Sequence, residues 1–242
     1  MKSAFITGAS KGIGKSIATT LAKNGYSLAL LGNQHMSDLK ELAQTLEKDY
    51  SVTIFTYQCD LKDSAKLESI CTQALNDMGH FDLIVNNAGV AHIGLFHEMS
   101  TSEWNDLFAI NMTSCFITCK ILAKDMINKK QGHIINISSM WGTVGASCEV
   151  AYSASKGALN SFTKALAKEL APSNISVNAI ACGVVDTEMN SHLDDNEKKE
   201  LSDDIPASRF ASTDEIAEVV LKICESPTYL TGQIIGVDGG YI

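Results

Sequence analysis

A tyrosine and a lysine stand four residues apart in the segment Tyr152-Ser153-Ala154-Ser155-Lys156. A helix would place Tyr152 and Lys156 on one face, about 5–6 Å apart at Cβ. A phenol with its ordinary pKa of about 10 is a poor acid–base catalyst at neutral pH. We expect the neighbouring ammonium to favour the phenolate, to lower that pKa and so to make Tyr152 usable as a general acid. By itself, such a pair is more typical of a solvated helix face, so its meaning depends on the surrounding sequence.

Polar side chains also end or interrupt apolar segments before this pair. The apolar run 134–137 is followed by two serines, and the second, Ser139, precedes Tyr152 by 13 residues. In a doubly wound sheet the carboxyl ends of the strands open on the ligand crevice, so we expect Ser139 to meet Tyr152 there. Asn111 lies in the helix-like stretch 108–112, where an apolar face would favour leucine. A buried amide at that position must find hydrogen-bond partners.

Glycines recur between Thr7 and Gly14, directly after the first apolar run and at the start of the first helical segment. In that setting Gly8 permits a tight turn, Gly12 lets the backbone approach a pyrophosphate, and Gly14 lets helix pack against strand. The helix N-terminus adds free N–H groups and a positive dipole. The segment therefore predicts a dinucleotide site, whose contact residues we expect to be Gly8, Ser10, Lys11, Gly12, Ile13 and Gly14.

The end of the second apolar run indicates which dinucleotide is bound. An NAD site usually has a carboxylate there, roughly 20 residues after the glycine loop, to bind the ribose 2′-OH. Here the segment 31–35 contains no carboxylate, and the first one is Asp38. We therefore expect Asn33 to lie at the cofactor and favour NADP (as NADPH) over NAD, with Lys11 available to meet the 2′-phosphate.

Short apolar runs alternate with longer segments of helical period, which predicts an α/β fold: one doubly wound Rossmann domain over residues 1–242, with a seven-stranded parallel sheet and helices on both faces. The predicted strands are residues 4–7, 27–31, 53–58, 83–85, 133–137, 176–180 and 234–237. The predicted helices are residues 14–23, 36–47, 64–78, 101–124, 152–170 and 214–223. Asn24-Gly25 is typical of a helix end, Asp63-Ser64 of a helix start, and Ser100 or Thr101 with Glu103 of another helix start. The one long connection, residues 185–206, is predicted to be a substrate lid.

Composition excludes several classes of partner. The chain has 28 acidic and 19 basic residues and a net charge of −9, which is unsuited to the phosphate backbone of nucleic acid or to an anionic membrane surface. We therefore expect neither nucleic acid nor membrane as a partner. No leader-like segment follows Met1, and no apolar run approaches the roughly 20 residues needed to span a bilayer. We predict a cytoplasmic protein.

The seven cysteines contain no Cys-x-x-Cys pair. We interpret them as buried small hydrophobic residues in a reducing compartment and predict no metal site.

Taken together, these motifs resemble the short-chain dehydrogenase/reductase superfamily in order and spacing, over essentially the whole chain. They are the glycine loop 7–14, Asn86-Asn87-Ala88-Gly89, Asn111, Ser139, Tyr152 and Lys156. The C-terminal segments 229–233 and 237–240 are also similar to the bacterial 3-oxoacyl-acyl-carrier-protein reductases.

The resemblance implies a role for each matching residue in reducing a ketone. Tyr152 protonates the carbonyl oxygen, Ser139 hydrogen-bonds it, Lys156 holds the nicotinamide ribose and tunes Tyr152, and Asn111 supports a water in the proton relay. Tyr152 and Lys156 thus also count as cofactor contacts. The remaining implied cofactor contacts are Asp60 and Leu61 at the adenine, Asn87, Ala88 and Gly89 along the cofactor, and Gly183, Val185 and Thr187 beside the nicotinamide. Such reductases are usually homotetramers.

One position departs from the family pattern. The family usually has Pro-Gly after the sixth strand, whereas this chain has Cys182-Gly183. The loss of the proline frees the backbone before the nicotinamide loop, so the shape of that loop is open.

The substrate is ambiguous between a small-molecule and a carrier-bound ketone. Residues 188–204 contain seven acidic and two basic residues. This cluster of charge is either a solvated helix face or a surface that disfavours an acidic carrier protein and favours a cationic partner. Lys129 and Lys130 remain available to dock such a carrier, but no arginine occurs in residues 172–175, where the carrier-protein reductases often have one.

Other activities stay open beside the 3-oxoacyl reductase. The segments 139–142, 147–150 and 181–190 also resemble reductases of a 5-aminopentanone modification on elongation factor P, and Glu149 would suit an amine. A sugar or steroid alcohol dehydrogenase is a further alternative. A non-catalytic dinucleotide-binding sensor is the alternative from another class, and the presence of all four motif residues disfavours it.

Overall fold

Seven parallel strands form the centre of the computed structural model, which describes residues 2–191 and 193–242. Met1 of the predicted domain and His192 of the predicted lid lie outside the described residues. The strands are β1 (Lys2–Thr7), β2 (Tyr26–Gly32), β3 (Ile54–Gln58), β4 (Leu83–Asn86), β5 (Gly132–Ser139), β6 (Ile175–Cys182) and β7 (Ile234–Val237). Their spatial order is β3-β2-β1-β4-β5-β6-β7, with every pair parallel. The strand order reverses between β1 and β4, which creates a crevice at the carboxyl ends of these strands.

The described parts of the chain contain nine α-helices. They are α1 (Gly12–Lys23), α2 (Met36–Tyr50), α3 (Ser64–Met78), α4 (Thr101–Phe108), α5 (Ser114–Lys129), α6 (Trp141–Val144), α7 (Val150–Leu170), α8 (Asp195–Asp204) and α9 (Thr213–Glu225). Helices α1, α2 and α9 pack on one face of the sheet, and α3, α5 and α7 pack on the other. The predicted fold class is thereby confirmed, since β1, β2 and β4 to β6 are almost wholly buried, as parallel strands covered on both faces must be.

Local sequence signals account for the helix boundaries. Asp63 accepts a hydrogen bond from the backbone of Lys66 at the start of α3, and Ser100 forms a capping box with Glu103 at the start of α4. Helix α1 ends at Lys23 and is followed by Gly25 with a φ of 78°. These three predicted boundaries are confirmed, because each depends on short-range backbone hydrogen bonding that the side chains themselves specify.

The segment predicted as one helix over residues 101–124 differs in detail. It consists of α4, a π-helical turn (Ala109–Thr113) and α5, which continues to Lys129. The whole run Thr101–Lys129 is 29 residues long, and its most apolar window has a mean hydropathy of 1.3. Contrary to the expectation from sequence, this run is long and apolar enough to cross a membrane on length and composition alone. Half of that window is buried inside the fold, as in the core helix of a soluble protein, so the observation is weak evidence of a span.

The segment 185–206, predicted as an irregular lid, contains more helix than expected. It includes a 3₁₀ turn (Glu188–Asn190) and helix α8, which begins with a capping box between Asp194 and Glu197. No residue of α8 is buried. Six cysteines are buried as expected, but Cys148 is exposed, at a φ of 61°. Cys148 lies in the connection between α6 and α7, where no sheet covers it.

Candidate active site

The glycine loop makes a sharp turn between β1 and α1 that disfavours larger residues at its three glycines. Gly8 and Gly12 have φ values of 66° and 53°, in the left-handed region that favours glycine. A Cβ on Gly14 would lie 2.1 Å from the carbonyl oxygen of Gly8. Lys11 is the N-cap of α1 and makes no capping hydrogen bond with its side chain. The first-turn N–H groups of α1 therefore face the crevice without a side-chain cap, as a phosphate site requires.

The segment after β4 is fastened to this loop by side-chain hydrogen bonds. The amide nitrogen of Asn87 donates to the carbonyl oxygens of Thr7 and Gly8, at 2.9 and 3.1 Å. The Thr7 hydroxyl in turn accepts from the backbone N–H groups of Asn87 and Ala88, both at 3.0 Å. The carboxyl ends of β1 and β4 are thus held together across the point where the strand order reverses.

Asn111 lies in the π-helical turn and is completely buried. Its side-chain oxygen accepts from the Val90 N–H, and its nitrogen donates to the Val90 carbonyl, both at 2.9 Å. The same nitrogen donates to the Ser155 hydroxyl at 3.0 Å. The extra residue that a π turn inserts re-aims a side chain within an otherwise regular helix. Here that side chain ties the segment after β4 to helix α7.

The predicted tyrosine, lysine and serine meet above the carboxyl end of β5. Tyr152 and Lys156 lie in α7, and the Lys156 ammonium is 5.7 Å from the centre of the Tyr152 ring. The Tyr152 phenol lies near the side chain of Ser139, which acts to lower the pKa of the phenol. The Lys156 ammonium donates to the Ile137 carbonyl at 2.8 Å. A Cβ on Gly89 would lie 3.2 Å from that ammonium nitrogen and 3.4 Å from the Asn111 side-chain oxygen, so the four predicted catalytic residues share one site.

Burial dominates the protonation of this cluster. It raises the pKa of Tyr152 well above the ordinary value, while the hydrogen bond with Ser139 acts in the opposite direction. Burial likewise lowers the pKa of Lys156, and the neighbouring thiols Cys115 and Cys182 partly offset this. In the protein by itself burial is the largest effect on the pKa of Tyr152, so the lowering that we expect from Lys156 stays a prediction for the enzyme with its cofactor, whose nicotinamide cation adds to the charge of the lysine.

The remaining predicted contact residues lie at the carboxyl edge of the sheet. The Ser10 Cβ is 3.8 Å from where a Cβ on Gly32 would lie, at the end of β2. The Asn33 carbonyl accepts from the Gln58 side chain at 2.9 Å. Ile13, however, packs against the hydrophobic core, so its backbone is the part available to a ligand.

The residues after β3 and β6 complete this edge. Asp60 accepts from the Lys62 backbone at 3.0 Å, and Leu61 is buried. After β6, a Cβ on Gly183 would lie 2.6 Å from the Asp238 Cα. Val185 pairs with Ala211, and the Thr187 methyl is 3.5 Å from where a Cβ on Gly12 would lie.

The loop after Cys182 keeps a defined course without the proline that the family usually has there. The backbone of Gly183 donates to the Val237 carbonyl at 2.9 Å, and the backbone of Met140 donates to the Cys182 carbonyl at the same distance. Pairing on both sides of β6 thus replaces the restriction that a proline would impose.

The arrangement matches a known enzyme family over most of the chain. The family model described as short chain dehydrogenase matches residues 2–198. The chain belongs to the short-chain dehydrogenase family. It is accordingly an oxidoreductase that acts on CH–OH or C=O groups.

Individual relatives cover nearly the full length of this short-chain dehydrogenase. An uncharacterized oxidoreductase, YmfI, from Bacillus subtilis is 43% identical, with 99% of this chain and 98% of the relative covered. The 3-oxoacyl-[acyl-carrier-protein] reductase FabG of Aquifex aeolicus is 36% identical over 99% of this chain and 96% of its own length. The crystal structure of acetoin dehydrogenase YohF from Salmonella typhimurium superposes with a TM-score of 0.91 at 32% identity, covering 100% of this chain and 97% of that one.

A polar network beneath the site of this short-chain dehydrogenase was not foreseen from the sequence. Asn86 at the end of β4 donates to the Asn136 side chain at 2.8 Å, and Asn136 donates to Thr163 of α7 at 2.8 Å. Ser155 accepts from Asn111 and donates to the Tyr152 carbonyl at 2.8 Å. Buried side chains of this kind must be fully paired. The available signal was the repeated asparagine, serine and threonine within otherwise apolar strands and helices.

Proposed function

We propose that this enzyme uses NADPH to reduce a ketone to a secondary alcohol. The observation that carries the proposal is the buried Tyr152 phenol, which lies beside the Ser139 side chain and the Lys156 ammonium. This group lies at the same edge of the sheet as the uncapped N-terminus of α1. A proton donor and a dinucleotide-phosphate site thus open on one crevice.

The residues of the chain divide the chemistry between them. NADPH, when bound, supplies the hydride. The Ser139 hydroxyl and the Tyr152 phenol hold the carbonyl oxygen, and Tyr152 gives its proton to that oxygen as negative charge develops there. A phenol is protonated at neutral pH, so Tyr152 begins the reaction with the proton that it donates. The Lys156 ammonium is held by the Ile137 carbonyl and lies next to Gly89, where it is placed to bind the cofactor ribose.

The choice of NADPH rests on the end of β2. The residues that follow this strand, Asn33, Gln34 and His35, carry no carboxylate to bind a ribose 2′-OH or to repel a 2′-phosphate. Lys11 in the glycine loop is the cation available to that phosphate. The fit is supported by the cradle of Gly8, Gly12 and Gly14, each of which would clash or be strained with a side chain.

A 3-oxoacyl group on a carrier is the substrate class we favour, because the curated reductases named for that reaction are similar over the full chain. A second candidate is a ketone that bears an amine, such as the 5-aminopentanone group on elongation factor P. The observation that favours it is the charge of α8, where all five acids are exposed beside two lysines. A surface of that sign repels an acidic carrier and attracts a cationic substrate.

Turnover of an acetoacetyl thioester with NADPH and with NADH, followed by the loss of reduced nicotinamide, tests the proposal. We expect NADPH to be preferred and Tyr152→Phe to lose about 100- to 10,000-fold in rate, the usual contribution of a general acid. Tyr57→Phe is the matched control, because the Tyr57 phenol is also buried but donates to Asp77 on α3 at 2.8 Å. Equal losses in both variants, or none in Tyr152→Phe, would contradict the assigned role.

An amine-bearing ketone and an acyl thioester compared in the same assay separate the two substrate classes. We expect the acyl thioester to be turned over with the higher kcat/KM. A higher kcat/KM for the amine-bearing ketone, reduced by added salt, would favour the second candidate.

We also infer a cytoplasmic homotetramer. Phe116 and Ile127 on α5 are 48% and 40% exposed, an apolar surface that suits subunit contacts. Light scattering on the purified protein tests the assembly, and a monomer would contradict it.

A further inference from the structure

The cation of the glycine loop is already paired in this structure. The Lys11 ammonium donates to the Glu188 carboxylate, which lies 177 residues later in the chain. The hydrogen bond from Lys11 is the main reason that the pKa of Glu188 lies below its ordinary value. Lys11 and Glu188 are about half and two-thirds exposed, so the pair forms at the mouth of the crevice rather than in the core.

The pair joins the two walls of the predicted cofactor site. Glu188 begins the 3₁₀ turn after β6, and the neighbouring Thr187 methyl is 3.5 Å from where a Cβ on Gly12 of the glycine loop would lie. On the other side, Ser10 of the glycine loop lies against Gly32 at the end of β2. Glu188 therefore holds Lys11 near the corner between the glycine loop and β2, which is the end of the site that the proposed use of NADPH assigns to the 2′-phosphate.

Other charges at this corner do not replace Lys11. His35 and Asp38 from the start of α2 act on the pKa of Glu188 in opposite directions, downward and upward respectively. These two side chains also face each other at 3.7 Å. Lys11 is the only basic residue between Thr7 and Gly14, so one phosphate and one carboxylate have the same cation as partner.

We propose that Glu188 sets the affinity for the 2′-phosphate by competing with it for Lys11. This inference rests on the proposed use of NADPH. Binding of the phosphorylated cofactor separates Glu188 from Lys11, and the carboxylate that remains nearby repels the phosphate. A cofactor without the phosphate leaves the pair intact. Glu188 is thus a specificity-determining residue that weakens NADP binding and has no effect on NAD.

The expected effect is moderate because the pair is exposed. An exposed ion pair corresponds to about a 1.5- to 5-fold change in an equilibrium constant. Removal of the repulsion between carboxylate and phosphate adds to it, so Glu188→Gln should tighten NADP⁺ binding by about 3- to 10-fold in total at low salt. Lys11→Gln should weaken NADP⁺ binding by about 10-fold, since it removes a charge-assisted hydrogen bond.

Equilibrium binding to the enzyme without substrate tests the proposal. The ligands are NADP⁺, NAD⁺ and 2′,5′-ADP, the last of which carries the phosphate but cannot reach the nicotinamide site. The variants are Glu188→Gln, Lys11→Gln and the double variant. Glu200→Gln is the matched control, because it removes the same charge from an exposed position of α8 in the same segment.

We expect Glu188→Gln to tighten NADP⁺ and 2′,5′-ADP, to leave NAD⁺ unchanged, and to have no effect when Lys11 is already glutamine. Tightening of NAD⁺ by the same factor, tightening that persists without Lys11, or an equal effect of Glu200→Gln would overturn the competition. A wild-type protein that binds NAD⁺ but not 2′,5′-ADP would instead contradict the proposed cofactor. In that case, a gain of 2′,5′-ADP binding by the Glu188→Gln variant supports the competition for Lys11. If this variant also fails to bind 2′,5′-ADP, the competition is overturned together with the proposed cofactor.

Discussion

Asn111→Ala should separate catalysis from stability when it is compared with a second buried asparagine. Asn111 clamps the N–H and the carbonyl of Val90 and also donates to Ser155. Asn178 on β6 does the same for the C-terminal segment: it accepts from the Gln233 N–H at 3.0 Å and donates to the Leu230 carbonyl at 2.8 Å. Both side chains have no solvent exposure. The two side chains therefore differ mainly in the segments that they hold in place: the segment after β4 for Asn111, and the C-terminal segment for Asn178.

The cost in stability follows from the hydrogen bonds that are lost. A buried group left unpaired costs about 1–3 kcal/mol, and partial entry of water reduces the sum. We expect about 2–4 kcal/mol for Asn111→Ala and about 2–3 kcal/mol for Asn178→Ala. In a protein of this length each kcal/mol lowers Tm by about 2–4 °C.

The cost in activity should fall on one variant only. Release of Val90 and Ser155 lets the segment after β4 and the start of α7 shift, and a displacement of about 1 Å at a catalytic group costs about 100-fold in kcat. The assay is ketone reduction well below the Tm of each variant, with Kd for NADP⁺ measured in parallel. An Asn111→Ala enzyme with wild-type kcat, or an Asn178→Ala enzyme that loses as much, would refute the assignment of Asn111 as a positioning residue.

Three further outcomes are expected. Gly14→Ala should abolish dinucleotide binding, because the new methyl group would force Gly8 away. At Gly157 the nearest atom is an ordinary 3.4 Å from a new Cβ, so Gly157→Ala should bind the dinucleotide normally and stabilise α7 by about 0.5–1 kcal/mol. Calorimetry and binding titration check both variants, and equal dinucleotide binding by the two would contradict the steric argument. Burial, and after it Lys2, hold the pKa of the His133 imidazole below its ordinary value. The folded state therefore loses stability as the pH falls below about 6.5, because the unfolded chain then takes up a proton that folded His133 does not. Between neutral and acidic pH the Tm of His133→Gln should fall less than that of the wild type, and an equal fall in both would count against this. One thiol, Cys148, should react rapidly with Ellman's reagent in the native protein and all seven after unfolding; rapid reaction that survives Cys148→Ser would show that a buried thiol opens.

The sheet and most helices could be predicted because their signals are local. Each strand is an apolar run bounded by turn residues. Asp63 and Ser100 specify helix starts because each side chain accepts a hydrogen bond from the backbone N–H three residues later. The meeting of Ser139 and Tyr152 could also be predicted, because strand ends in a doubly wound sheet open on one crevice. Periodicity and topology are sufficient for these features.

Features that depend on contacts between distant segments could not be predicted. In the π turn, the Asn111 side chain is hydrogen-bonded to the backbone of Val90, which belongs to another segment. Helical periodicity in the sequence does not indicate such a turn, because the contact that accompanies it is not local. The pairing of Lys11 with Glu188 joins two residues that are 177 positions apart in the sequence. The sequence shows two ordinary exposed residues at these positions, and only the fold brings them to the same corner.

The protonation of Tyr152 shows why charge proximity read from sequence is an incomplete guide. The spacing to Lys156 suggested a phenol with a lowered pKa, but α7 and β5 exclude solvent from both side chains. Loss of solvation disfavours the phenolate and the ammonium alike, so it raises the pKa of Tyr152 and lowers that of Lys156. In the reduction that we propose, the protonated phenol beside Ser139 is the form of Tyr152 that donates a proton to the carbonyl oxygen, so burial favours the form that starts this step.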